Sequence, residues 1–305
     1  MKISPAVLRV GLRSLRTVFT SHRFSIARKR RIIKLMAGMS KVPAGVTVEC
    51  DSLAGVPVER LTPQTARPEA AILFHHGGGY AAGGPHGYRG FAGALAAAAG
   101  MQIVVTDYRL APENPFPAAL EDALGVYGAL LDQVGTIAVA GDSAGGGLTL
   151  ALAQRIRDMS LPAPAALALI CPWLDLAIDQ AAARLAANDP LIIPALTSQW
   201  CTFYCGQHDA HDPRISPVHG DLASLPPIVM HSAGDDPLAV DADQLERKFT
   251  HGSADGLLIH RRYTKRWHDF HLQVGLLADA DKAVALLGTQ LAELVARAQT
   301  DKEQP

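Results

Sequence analysis

Thr136-Ile-Ala-Val-Ala-Gly-Asp-Ser-Ala-Gly145 carries a short, β-branched apolar run straight into Gly141-x-Ser143-x-Gly145, and a helix-forming pattern follows over 145–159. A serine at a sharp strand-to-helix turn takes a strained backbone, so the positions two before and two after it must lack side chains. The same turn sets Ser143 at a helix N-terminus, where free N–H groups favour developing negative charge. A glycine-rich turn without chemistry is the plain alternative. The strand before and the helix after favour a presented nucleophile.

Outward from this stretch, strand-like and helix-like segments alternate. Residues 70–75 and 101–106 read as buried strands, with helices over 91–99 and 117–131. Beyond Ser143, strands are expected at 165–170, 228–231 and 257–263, with helices near 238–250 and 278–298. Residues 46–49 and 56–61 suggest an antiparallel start around the turn Leu53-Ala-Gly55. Such alternation, with strands apolar throughout, predicts an α/β fold: a mostly parallel sheet covered by helices on both faces. From 175 to about 224 there is helix-forming sequence and no clear strand. A connection that long should have work to do, and with the N-terminal segment it reads as a lid.

His76-Gly-Gly-Gly79 directly follows the strand at 70–75. Successive glycines let a backbone approach a substrate closely and turn its amides inward, as an oxyanion requires. The same residues fit a dinucleotide fingerprint, Gly77-x-Gly79-x-x-Ala82 with Asp107 ending the next strand. That reading leaves Ser143 unexplained, and Pro85 and its neighbouring glycines delay the helix it needs. A nucleophilic serine needs a base, and the base needs an orienting carboxylate, in the chain order Ser, acid, His. His268 follows the last strand by a short loop and so lies at a carboxyl end of the sheet. His260 lies within that strand, and His271 one helical turn later. The loop Ser232-Ala-Gly234-Asp235-Asp236-Pro237 offers two acids, and spacing alone does not choose between them.

Composition sets the surroundings. The chain has 305 residues, 49% hydrophobic and 19% charged, which suits a large core and excludes disorder. A net charge of −1 gives no general attraction to nucleic acid. Residues 1–48 nevertheless hold 11 Lys and Arg and no acid, against 17 basic and 29 acidic residues in the remainder. Leu8, Leu12, Leu15 and Phe19 share one helical face and Arg9, Arg13 and Arg16 another. A basic helix on an anionic membrane surface is one outcome of that pattern; docking on the protein's own body is the expected one. The arginines interrupt any signal-peptide run and no membrane span is present, so a cytoplasmic protein is expected. Cys50, Cys171, Cys201 and Cys205 read as reduced packing residues, without zinc spacing.

Several of these stretches together resemble the bacterial hormone-sensitive-lipase-like esterases, α/β-hydrolases with HGGG and GDSAG motifs. They are His76-Gly-Gly-Gly79, Tyr108-Arg-Leu-Ala-Pro-Glu113, Phe116-Pro-Ala-Ala-Leu-Glu-Asp122, Gly141-Asp-Ser-Ala-Gly145, Asp236-Pro-Leu238 and His268-Asp-Phe270. Asp269 stands where glycine is common, although aspartate is also seen there. The resemblance implies the α/β-hydrolase fold, a mostly parallel central sheet flanked by helices, with a helical cap. It implies N-terminal cap helices over 1–45, a catalytic domain over 46–174 and 225–305, and a cap insertion over 175–224. It makes Ser143 the nucleophile, His268 the base and Asp236 the orienting acid, with oxyanion donors at Gly78, Gly79 and Ala144. The implied reaction is hydrolysis of short- to medium-chain carboxylic esters through an acyl-enzyme, with a small-molecule ester as partner and no metal or cofactor. A lactone, amide or carbamate hydrolase using the same residues is the alternative. Membrane association is not expected, and a homodimer through the edge strand near 257–263 is implied by the family.

Overall fold

Fully buried apolar strands can lie side by side only where both faces of a sheet are covered. Three strands form the middle of the sheet: β3 (Arg67–His75), buried from Ala70 onward, and β5 (Thr136–Asp142) and β6 (Ala166–Ile170), buried throughout. The computed structural model describes residues 2–20, 24–37, 41–177, 188–252 and 254–303. The remaining strands are β1 (Val46–Leu53), β2 (Val56–Pro63), β4 (Met101–Thr106), β7 (Ile228–Ala233) and β8 (Leu258–Tyr263). They complete an eight-stranded sheet in the order β1-β2-β4-β3-β5-β6-β7-β8. β1, β2 and β4 pair antiparallel, and every pair from β4 through to β8 is parallel.

Side-chain alternation along β3 divides the core in two. Ala71 and Leu73 face one cluster, with α4 (Ala118–Leu131) and α5 (Ala144–Asp158); Ala70, Ile72 and Phe74 face the other, with α3 (Pro85–Ala99) and α8 (Ala278–Glu303). α3 and α8 approach so closely that a methyl group on Gly288 would fall 2.5 Å from Ala98. α7 (Ala239–Thr250) connects β7 to β8. α3 begins at Pro85, six residues before the expected 91. Gly83 and Gly84, at φ 104° and 144°, deliver the chain to a helix that has proline in its first turn.

Among the described residues, three helices lie outside this frame. α1 (Pro5–Thr20) and α2 (Ile26–Ala37) precede the sheet, and α6 (Pro194–Cys205) lies in the insertion between β6 and β7. No strand forms among the described residues of that insertion, as expected; residues 178–187 lie outside them. α1 docks on the body: Leu8 and Leu12 pack against the core, while Val7 and Val10 are exposed. The side chain of Phe19 is outside the described residues. Arg30 of α2 donates to Glu113 and to the carbonyls of Ala81 and Ala111. Arg30, and Arg9 of α1 through Asp235 and the Asn188 carbonyl, are thus turned onto this protein's own surface. No described helix is long and apolar enough to cross a membrane.

Candidate active site

Parallel strands deliver their following loops to one end of a sheet, and ligands of open α/β sheets bind there. Ser143 stands directly after β5 at φ 53° and ψ −120°, a strained conformation for a residue with a side chain. The flanking glycines permit it by close packing. A Cβ on Gly145 would fall 1.9 Å from the His75 carbonyl oxygen, and one on Gly141 2.2 Å from that of Gly145. The Ser143 N–H donates to the Ile170 carbonyl, and its own carbonyl accepts from Trp173, so the turn is tied to β6 and the loop after it.

The glycine loop after β3 lies against this turn. A Cβ on Gly77 would meet the Ser143 Cβ at 3.0 Å. Gly78 and Gly79 take φ 114° and 63°. Among the described residues, the N–H groups of Gly78, Gly79 and Ala144 donate to no backbone carbonyl. His76 is buried, stacks on Tyr108 at 4.3 Å and bonds its own loop at the Gly77 carbonyl. Burial lowers its pKa to about 4, so it is a neutral brace for the loop. The Trp200 indole of α6 closes over Gly79, where an added Cβ would fall 2.2 Å from the ring.

His268 follows β8 and Asp236 follows β7. His268 Nδ1 is 2.8 Å from Asp236 Oδ2, and Asp236 Oδ1 accepts from the Leu238 N–H at 2.8 Å. Asp235 points elsewhere: its carboxylate pairs with Arg9 of α1. The same guanidinium donates to the Asn188 carbonyl at 2.9 Å and lies 5.1 Å from the ring of Trp267, the residue before His268. Asp189 accepts the His268 backbone N–H at 2.6 Å. Burial and the neighbouring Asp236 raise the Asp189 pKa to about 6. Burial disfavours the His268 imidazolium, but Asp236 and Asp269 outweigh it and hold the pKa well above the ordinary value. His260 is occupied by Ser232 and Glu246, and His271 by His231, so neither competes for this position.

Three participants were not assigned roles from sequence. Asp269 Oδ2 lies 2.9 Å from His268 Nε2. Asp142, inside the quoted motif, accepts from the Gly77 N–H at 2.8 Å and the Tyr88 hydroxyl at 2.7 Å. The Cys171 thiol lies near the His268–Asp236 pair, the donor atoms of the three within 4.8 Å of one another. The hydrogen bond between His268 and Asp236 already occupies that cluster, which reads as an acid–base pair beside a buried thiol.

The chain matches the family model described as alpha/beta hydrolase fold over residues 72–272. It is 48% identical to LipR of Mycobacterium tuberculosis over 294 residues, 95% of each chain. It is 35% identical to the acetyl-hydrolase of Streptomyces hygroscopicus, over 77% of this chain and 81% of that one. Its structure is similar to that of an esterase from the bacterial hormone-sensitive lipase family, with a TM-score of 0.88 and 29% identity over 97% of this chain and all of the other.

Proposed function

The chain belongs to the α/β-hydrolase family and, within it, to the hormone-sensitive-lipase-like esterases, and from that membership we propose that it cleaves short- to medium-chain carboxylic esters through an acyl-enzyme on Ser143. The observation that carries the reading is the His268 Nδ1–Asp236 Oδ2 hydrogen bond at 2.8 Å, at the sheet end where Ser143 occupies its strained turn. With Nδ1–H held by Asp236, Nε2 is the nitrogen left to take the serine proton. Attack on the ester carbonyl then places charge on its oxygen, for which the N–H groups of Gly78, Gly79 and Ala144 supply donors. His268 passes its proton to the leaving alkoxide. Water, activated by the same imidazole, repeats the attack and releases the acid.

Trp200 supports the modest acyl size, because its ring crowds Gly79, one of the proposed oxyanion donors. The test is Ser143→Ala with p-nitrophenyl acetate and butyrate. The substitution removes the only group that can carry the acyl intermediate in this scheme, so turnover should fall by about 10⁴-fold or more. Turnover near wild type would sink the nucleophile assignment.

A further inference from the structure

Asp269 is expensive where it stands. Its backbone is in the left-handed region, φ 50° and ψ 35°, a strain on a residue with a Cβ that glycine avoids. Its carboxyl is also buried, a second cost unless a partner compensates. Oδ2 has that partner, His268 Nε2 at 2.9 Å. Oδ1 meets no N–H or O–H donor among the described residues, yet the Asp142 carboxyl lies within side-chain hydrogen-bonding reach. Two buried carboxyls this close do not both ionise. A proton on Asp142 gives Asp269 the donor it lacks and leaves Asp269 as the charged member beside the imidazole.

We propose that Asp269, held by Asp142, is a positioning residue that occupies Nε2 of His268 between turnovers and sets the pH at which this nitrogen can receive the serine proton. The inference rests on His268 being the general base. Around the Asp269 carboxyl stand His268, Asp236 from the loop after β7, Asp142 at the end of β5, Tyr88 of α3 and Cys171 after β6. Burial and the nearby Asp142–Asp269 charge interaction push Asp142 well above its ordinary range, which agrees with its holding the shared proton.

The consequences have a definite sign. A carboxylate at Nε2 stabilises the imidazolium, so His268 loses that proton, and becomes a base, only at higher pH than an Asp–His pair alone would require. The same charge favours the imidazolium formed during turnover, when the Ser143 O–H bond breaks and an N–H bond forms on Nε2. That proton later goes to the leaving alkoxide, and no other reactant is needed.

The experiment is the pH dependence of kcat/KM for p-nitrophenyl butyrate in wild type, Asp269→Asn and Asp269→Gly, with thermal melts in parallel. Asn preserves the shape and Gly relaxes the left-handed backbone, so a loss of folding would have a different cause in each and one variant can stand in for the other. Both should move the acid limb to lower pH by about one unit or more, with a lower plateau because the base is weaker. A merely structural carboxylate would change the melt and leave the limb in place. An acid limb unmoved in folded variants overturns the proposal while loss of turnover in Ser143→Ala and His268→Ala keeps the triad reading. Activity retained in His268→Ala overturns both.

Discussion

Asp235 and Asp236 are adjacent, but Asp236 bonds the imidazole and Asp235 pairs with Arg9 of α1. Side-chain direction at the end of β7 decides between them, and direction is not encoded in spacing. The motif Asp236-Pro-Leu238 could choose only by resemblance. Asp236→Asn retains the shape but presents an amide to Nδ1, favouring the wrong tautomer, and kcat/KM should fall by about 10⁴-fold. Asp235→Asn loses a partly exposed ion pair worth about 1 kcal/mol or less, and activity should stay within several-fold of wild type. Steady-state kinetics on the two variants check the ranking, and the reverse order would assign the orienting role to Asp235. Asp142 and Asp269 show the complementary limit. Both flank residues that sequence singled out, yet their mutual contact joins segments 127 positions apart, from Asp142 to Asp269.

At the scale of elements, the sheet was legible because burial on both faces leaves unbroken apolar runs. β4 begins and ends where its sequence predicts, and the other core strands differ from expectation only at their ends. The insertion was legible only as a break in that rhythm. What α6 does depends on which residue its packing lays over the glycine loop, and neither periodicity nor composition distinguishes Trp200 from Phe203 for that place. Trp200→Leu should move the preferred acyl length upward, since each methylene accommodated in the vacated space is worth about 0.8 kcal/mol, or roughly fourfold in kcat/KM. A profile over p-nitrophenyl esters from acetate to decanoate measures this. A profile with an unchanged optimum would mean that the chain leaves the site by another path. α1 bears on the same loops through the Arg9 contacts with Asp235 and Trp267.

Across the whole molecule, this enzyme buries histidines as neutral groups. His75 ends β3 and His76 follows it, with pKa values lowered by burial to about 3 and about 4. His231 of β7 is lowered to about 4, by burial first and then by Arg261 and His260, and His271 is pushed well below its ordinary value by burial and by His231. His231 Nδ1 and His271 Nε2 are 3.3 Å apart, so one must donate and the other accept. Each such histidine binds a proton in the unfolded chain below pH about 6.5 but resists one in the folded state, His76 and His231 down to about 4. Its contribution to stability is therefore complete above about 6.5 and falls with pH by about 1.4 kcal/mol per unit. His268, Asp142, Asp189 and Asp269 are shifted upward and act in the opposite sense, gaining stability as the pH falls, so the net slope of the wild type mixes both signs. His231→Gln isolates one contribution. The variant should be less stable than wild type at neutral pH, since Gln does not reproduce the imidazole pair, and the gap should narrow by about 2 kcal/mol between pH about 6.5 and 5. Urea unfolding of both proteins at the two pH values measures that gap, and a gap that stays constant would mean that His231 titrates in the folded protein as it does in the unfolded one.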